Sequence, residues 1–270
     1  MIADVCQRWR ARRASYRPAG EPIDARRYEV AAIDGDATPR AFVEAHHYAA
    51  SYPSARFRFG LYCGDALVGV AVFSHPCNDA VLACLPGERG ERIELGRFVL
   101  LDDVPANGES WMLSRCFELL RVDAGIAGVV SFSDPEPRTT ADGRVIFLGH
   151  AGTIYQATNA TYVGRGAPAT LRLLPDGSVL HGRALAKLRK RDKGWRYVAK
   201  RLEEAGADPL GKDEDAARWT DRWVTALTRR RRHPGNHKYL FGLTKAARRA
   251  LPASLPYPKL SHESLFGRVA

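Results

Sequence analysis

The stretch from Glu94 to Leu120, ELGRFVLLDDVPANGESWMLSRCFELL, decides the fold. Together with the two residues before it, its first part reads as a β-strand from Arg92 to Leu101. From Asn107 on, Trp111, Leu113, Cys116, Phe117 and Leu120 recur at helical spacing. A loop that enters a helix exposes backbone N–H groups, and the helix dipole adds partial positive charge. Gly108 lets the backbone approach a ligand, and Ser110 has the chemistry either to cap the helix or to bind an anion. The plainer reading is a capped helix with Asn107 or Ser110 as its cap. Strand alternation places Leu95, Arg97 and Val99 on one face, so a charge sits among apolar side chains. Such an arginine needs an anionic partner. Asp102, Asp103 and Glu94 are the candidates within the chain, and a substrate phosphate or carboxylate is the candidate outside it.

Working outward, TPRAFVEAHHYAA (Thr38 to Ala50) predicts a helix that starts at Thr38-Pro39, with Phe42 and Val43 on one face. RFRFGLYCGDALVGVAVFS predicts a hairpin turning at Gly64-Asp65. GIAGVVSFSDP is a short buried strand that ends at Asp134-Pro135. HAGTIYQATNATYVGRG reads as a loop and a short helix closed by Gly164. ATLRLLPDGSVLHG is a hairpin around Pro175-Asp176-Gly177. This order specifies a mixed α/β (α+β) sheet with helices on both faces. Residues 1–27 read as a loose basic arm, 28–182 as the catalytic domain and 183–270 as a basic extension. That extension is expected to be helical to Glu204, loop-rich after it, packed on the sheet edge and facing nucleic acid.

The chain has 270 residues, 45% of them apolar, which permits a substantial core. It contains no apolar run long enough to cross a bilayer. MIADVCQRWRARR lacks the apolar segment of a signal peptide. The five cysteines (Cys6, Cys63, Cys77, Cys84, Cys116) form no CxxC pair and read as reduced thiols of a cytoplasmic protein. Net charge is +11. Residues 183–200 hold eight Lys/Arg against one acid, and residues 229–250 hold eight and none. Arg8, Arg10, Arg12, Arg13 and Arg17 add a third cluster. Clustering of this kind is the footprint of a nucleic-acid binder. Lys187, Arg189, Lys190, Arg191, Lys193, Arg229, Arg230, Arg231, Arg232 and Lys238 are the expected phosphate contacts.

The strand–loop–helix unit resembles the GNAT acyltransferase fold, in which such a loop holds the pyrophosphate of an acyl-CoA. That resemblance implies donor contacts from Arg97, Val99, Asn107, Gly108, Glu109 and Ser110. The GNAT loop usually reads Gln/Arg-x-x-Gly-x-Gly/Ala, whereas this chain has DVPANGES. The acid, Glu109, stands where the phosphates would sit and repels them, so ordinary acetyl-CoA binding is not expected. Four separated motifs, AHHYAASYP, LGRFVLLDDVPANGESWMLSR, VVSFSDP and HAGTIYQATNATYVG, resemble the phage Mu Mom family of DNA-modifying proteins in the family's order. The segment HPGNHKYLFGL (His233 to Leu243) is similar to phage relatives as well. The resemblance implies a carbamoylmethyl group placed on adenine N6 of double-stranded DNA, a modification that protects phage DNA from restriction. It also implies a phage- or prophage-encoded protein that works in the bacterial cytoplasm away from membranes.

Carried onto this sequence, the resemblance puts the site on His47 and Tyr48 of the first helix, Arg97, Ser110, Asp134 and Tyr155. His47 has the chemistry of a general base near neutral pH, and neighbouring His46 diverges from it by about 100° on a helix. Tyr48 or Tyr52 is placed to stack on a flipped base. Asp134 lies at a strand end, where α/β folds bind ligands. Tyr155 matches the GNAT tyrosine that protonates a leaving thiolate, and His150 lies at the mouth of the same loop. A metal such as iron would have His47, His75, His150 and Asp134 as candidate ligands, although their spacing follows no diagnostic pattern. The donor and the oligomeric state, a homodimer included, stay open. Two other functions stay in view: an acyl-CoA-dependent N-acyltransferase acting on another amine, and a non-catalytic DNA-binding protein with a degenerate GNAT fold.

Overall fold

The computed structural model describes residues 5–259. In chain order the strands and helices are β1 (Val5–Arg10), β2 (Arg13–Pro18), β3 (Tyr28–Ala32), α1 (Ala37–His46), β4 (Ala55–Cys63), β5 (Ala66–Ser74), β6 (Arg92–Leu100), α2 (Gly108–Asp123) and β7 (Gly128–Ser133). There follow β8 (Arg138–Thr139), β9 (Val145–Phe147), α3 (Thr153–Ala157), β10 (Thr161–Arg165), β11 (Ala169–Leu173) and β12 (Val179–Leu180). The chain continues through α4 (Gly182–Lys190), α5 (Trp195–Glu204), α6 (Ala216–Leu227), β13 (Arg229–His233), β14 (His237–Gly242) and α7 (Lys245–Ala250). These elements form two compact units, which divide the described residues into 5–135, 150–166 and 236–259 on one side and 136–149 and 167–235 on the other.

The first unit is built on a mixed sheet in the order β10-β14-β7-β6-β5-β4-β3. β6 and β7 run parallel, and every other neighbouring pair is antiparallel. One face carries Phe59, Leu61, Ala71, Phe73 and Leu95, packed with Met112, Leu113, Cys116 and Leu120 of α2. On the other face lie Val70, Val72 and Val99, where α1 contacts β5 and β6 and contributes the fully buried Val43. Helices therefore cover both faces, as the order of elements predicts.

Simple alternation fails at Gly96. Val72 pairs with Arg97 and Phe73 with Leu95, so Gly96 bulges out of the ladder. A Cβ at Gly96 would run into Ser74 Oγ, so glycine is what the bulge requires. Arg97 and Val99 therefore stay together, while Leu95 turns to the opposite face. The expected trio of Leu95, Arg97 and Val99 on one face is corrected by this one extra residue, which reverses facing because the strand period is two.

The N-terminal segment is not a loose arm. β1 and β2 pair along their length from Val5↔Pro18 to Arg10↔Arg13. Arg8 forms a buried ion pair with Glu109 and donates to the carbonyls of Val104 (3.3 Å) and Pro105 (2.8 Å). Ser15 donates to Asp102, and Arg10 pairs with Asp103 at 3.2 Å. The two aspartates offered as partners of Arg97 are thus held by the hairpin.

Three further sequence expectations change. α1 ends at His46, so His47 is its extended C-cap (φ −75°, ψ 137°) and Tyr48 lies beyond the helix. ATYVG is not part of a closing helix but opens β10, which pairs with β14. The chain after Glu204 is not loop-rich. Asp215 caps α6 by accepting N–H bonds from Ala217 and Arg218, and β14 inserts between β10 and β7 instead of lying at a sheet edge.

The second unit pairs β11 with both β12 and β13 and holds the short β8–β9 ladder. Its core joins Leu174 and Leu180 to Leu185, Leu188, Val198, Leu202, Trp219 and Val224 of α4–α6. The sequence boundary at residue 182 falls inside this unit. Among the described residues no helix is long and apolar enough to cross a membrane.

Candidate active site

β6 and β7 pair only through Arg92–Leu95 and Gly128–Ser131. Beyond that point β7 pairs with β14 alone, and β6 carries the Gly96 bulge. Parting parallel strands leave a crevice at their C-terminal ends, the usual place for a ligand in an α/β sheet. Arg97 stands at this crevice. Its guanidinium donates to Ser51 O (2.8 Å), Ser51 Oγ (2.7 Å) and its own neighbour Gly96 O (2.6 Å). All three acceptors are neutral. Glu94 and the Tyr48 and Tyr155 phenols act on Arg97 electrostatically, while burial pulls its pKa below the ordinary value. The group is therefore fixed in direction by neutral oxygens, and Glu94, one of the partners offered by the sequence, is the carboxylate of the chain that acts on its charge.

An aromatic stack adjoins Arg97. The His47 and Tyr48 rings stack at 4.3 Å, and Trp9 of the hairpin lies 4.8 Å from Tyr48. Tyr48 Oη is 3.4 Å from His150 Nε2, with the rings edge-on. His150 is placed by its own N–H, which donates to Asp134 O at 2.8 Å. His47 is buried, and its Nδ1 accepts the Ala49 N–H at 3.1 Å. Nδ1 is then unprotonated in the neutral ring, and Nε2 carries the hydrogen. Burial, then the charges of Arg97 and His150, hold the His47 pKa well below its ordinary value. His47 is thus a neutral hydrogen-bond donor at Nε2, which does not suit the base role that its residue type suggested.

Tyr155 is buried against Tyr239 (5.3 Å) and Phe241 (6.2 Å). Burial raises its pKa, and a hydrogen bond with Ser131 opposes the rise. Gly152, in the left-handed region at φ 68°, lets these rings close, since a Cβ there would lie 2.8 Å from both Tyr155 and Tyr239. Glu94 is the residue that sequence reading placed only as an ion-pair partner. Burial raises its pKa, and it interacts electrostatically with both Arg97 and Tyr155. Its detectable signal was a lone acid in an apolar strand.

Ser110 does not join this group through any hydrogen bond of its own, because its hydroxyl donates to Asn107 O at 2.9 Å. The start of α2 is occupied by the chain itself. Asn107 N donates to Glu21 O, Ala106 N to Glu21 Oε2, Gly108 N to Pro105 O and Trp111 N to Asn107 O. A Cβ on Gly108 would run into Val104, so this glycine serves packing. Val99 is buried. Glu109 faces Arg8, so the acid expected to repel phosphate is neutralised within the fold.

The basic residues divide into tethered and open ones. Arg189 pairs with Asp221 (2.8 Å), Arg191 donates to the carbonyls of Gly211, Lys212 and Glu214, and Arg231 pairs with Glu136 (2.6 Å). Lys190, Lys193, Arg230 and Arg232 are exposed, Lys187 is half-buried, and half-buried Lys238 lies on β14 in the first unit. All five cysteines are free. Among the described residues no three His, Cys, Asp or Glu side chains come together as a metal-binding group, so His47, His75, His150 and Asp134 do not form one.

Two buried histidines give the fold a pH dependence. His237, whose Nδ1 lies 2.8 Å from Tyr162 Oη, is pushed down to about 4 by burial, and His47 is depressed as well. Both pKa values are below the unfolded value, so the stabilisation is complete above about pH 6.5 and is lost as pH falls toward the folded values. Chemical denaturation from pH 7 to 4 is expected to show stability falling by up to about 1.4 kcal/mol per pH unit for each histidine. His237→Asn should flatten that slope, and an unchanged slope would refute the assignment.

A profile of the Mom protein family matches residues 27–259 of the chain. The methylcarbamoylase Mom of Escherichia phage Mu is 23% identical over 228 residues, covering 82% of this chain and 79% of that protein.

Proposed function

The chain belongs to the Mom protein family, and from that premise we propose that it is a transferase that adds a carbamoylmethyl group to the N6 amine of adenine in phage DNA and so shields it from restriction. The observation that carries this reading is the Arg97 group, with His47, Tyr48, His150, Glu94 and Tyr155 gathered where β6 and β7 part. Its likeness to the phage Mu methylcarbamoylase points to the same chemistry.

The N6 lone pair is delocalised into the purine ring, so the amine is a weak nucleophile. The enzyme must hold it against the donor carbon and take up one proton. As the N6–carbon bond forms, the bond from that carbon to the leaving group breaks, and the leaving group receives a proton. Arg97 orients the anionic part of the donor. His47 Nε2–H donates to a developing negative charge or to the amide oxygen. A carboxylate, Asp134 or Glu94, takes the amine proton, and Tyr155 supplies one to the leaving group. Adenine leaves the duplex to bring its amine to this crevice. Nucleoside mass spectrometry of plasmid DNA from a bacterial host expressing the protein should show adenosine heavier by one carbamoylmethyl group. Unmodified DNA in the presence of folded protein would refute the reading.

Asp134→Ala is expected to abolish modification while leaving DNA affinity nearly unchanged. Loss of both would make Asp134 structural and transfer the base role to Glu94. An acyl-CoA-dependent reaction is the second reading. Speaking against it are the Arg8–Glu109 ion pair at the start of α2, the N–H groups of Ala106, Asn107, Gly108 and Trp111 already taken by Glu21, Pro105 and Asn107, and the lack of room at Gly108. No step is therefore assigned to coenzyme A, and titration calorimetry with acetyl-CoA is expected to show no micromolar binding.

A further inference from the structure

Four consecutive arginines form β13, and the ladder with β11 sorts them. Arg229 lies opposite Leu173 and Arg231 opposite Leu171. On that face Arg229 donates to Thr139 Oγ1 at 2.9 Å, and Arg231 is paired with Glu136. These two arginines are structural. The alternate residues, Arg230 and Arg232, lie opposite Arg172 and Thr170 and so share the other face with them. Among the described residues no carboxylate forms an ion pair with Arg172, Arg230 or Arg232.

Like charges placed directly across a ladder are destabilising, and Arg172 faces Arg230 without an acid between them. The apolar end of this face is covered: Leu180 lies opposite Arg172 on β12 and is buried with Leu174 in the α4–α6 core. At the other end Arg230 and Arg232 are exposed. The fold thus retains an electrostatic cost on this face, whereas on the opposite face Arg229, equally exposed, is tethered by neutral threonine oxygens and Arg231 is paired with Glu136.

We propose that Arg172, Arg230 and Arg232 form the surface of the second unit that grips the backbone phosphates of double-stranded DNA. This rests on the DNA reading of the proposed function and assigns it a specific surface. A guanidinium offers a planar fork to phosphate oxygens, and Arg230 and Arg232, two residues apart on one strand, present two forks side by side. Contacts of this kind position a duplex and carry no base-sequence information. Thr170, on the same face, adds a hydroxyl.

The test is fluorescence anisotropy of a labelled duplex of about 20 base pairs with the full chain, across about 50 to 200 mM salt. The double variant Arg230→Gln/Arg232→Gln is expected to bind more weakly, with the slope of log K against log salt lower by about 2. Adding Arg172→Gln should lower it by about 1 more. The control Arg229→Gln/Arg231→Gln should melt at a lower temperature while keeping most of the wild-type slope. Wild-type affinity and slope in the Arg230/Arg232 variant would overturn this assignment alone. Failure of the unaltered protein to bind the duplex would overturn the DNA reading as well.

Discussion

Arg97→Ala is expected to lower adenine modification by at least about 100-fold, with the protein still folded and still bound to DNA. That is the usual cost of removing one preorganised donor from a site where charge develops. The argument rests on how Arg97 is held. Three different N–H groups of one guanidinium are fixed by Ser51 O, Ser51 Oγ and Gly96 O. None of these acceptors carries a charge, so the fixation costs little of the attraction for a donor anion. Arg97→Lys should recover little activity, because a single ammonium cannot span the three acceptors and face a ligand in one geometry. Ser51→Ala should fall between them, since it removes one of the three oxygens. Modified-nucleoside yield under limiting enzyme reads all three. Substantial activity in Arg97→Ala would remove Arg97 from the chemistry, and full activity in Arg97→Lys would reduce its role to a diffuse charge. Thermal melting of each variant separates folding from these effects.

Much of this fold was legible because each local signal was strong. The hairpin at Gly64-Asp65, the strand at 92–100 and the helical spacing from Trp111 to Leu120 each agree with one period, and the structure follows them. What escaped depended on contacts distant in sequence or on a single inserted residue. The Gly96 bulge reverses the facing of Leu95 relative to Arg97, and alternation has no means of counting an extra residue. The tautomer of His47 depends on where α1 ends, since the Nδ1 acceptor role arises only once the chain turns extended and brings the Ala49 N–H back to it. The helix at 216–227 did have a signal: Asp215 as N-cap, then Ala216, Trp219, Thr220 and Val224 on one buried face. Prolines further along and the dense charge around it outweighed that pattern. The stretch from His233 to Leu243 carries no local signal that β14 is a sheet strand, because its place between β10 and β7 is set by partners far away in the chain.

The α2 start that the sequence offers as an anion site holds a cation of the chain's own, and removing that cation should have the largest effect on stability. Arg8 and Glu109 are buried, with side-chain exposures of 1% and 11%. Arg8→Ala leaves Glu109 buried and without its partner, a loss of about 3 to 5 kcal/mol. In a chain of this size the melting temperature should drop by roughly 6 to 15 °C. Arg8→Leu/Glu109→Leu should restore most of the loss, because two apolar side chains of similar volume avoid the desolvation of both charges. Hydrogen exchange locates the effect. In Arg8→Ala, protection should fall first along β1 and β2, whose attachment depends on this pair and on the bonds to Val104 and Pro105. Activity should fall with it, since the same hairpin seats Trp9 against Tyr48. Trp9→Ala separates the two effects: it keeps the ion pair, so it should spare most of the stability and still slow modification. If Arg8→Ala melts like the wild type, and β1 and β2 show no protection in either protein, then residues 5–18 behave as the loose arm that composition suggested, and the α2 start is again available to a ligand.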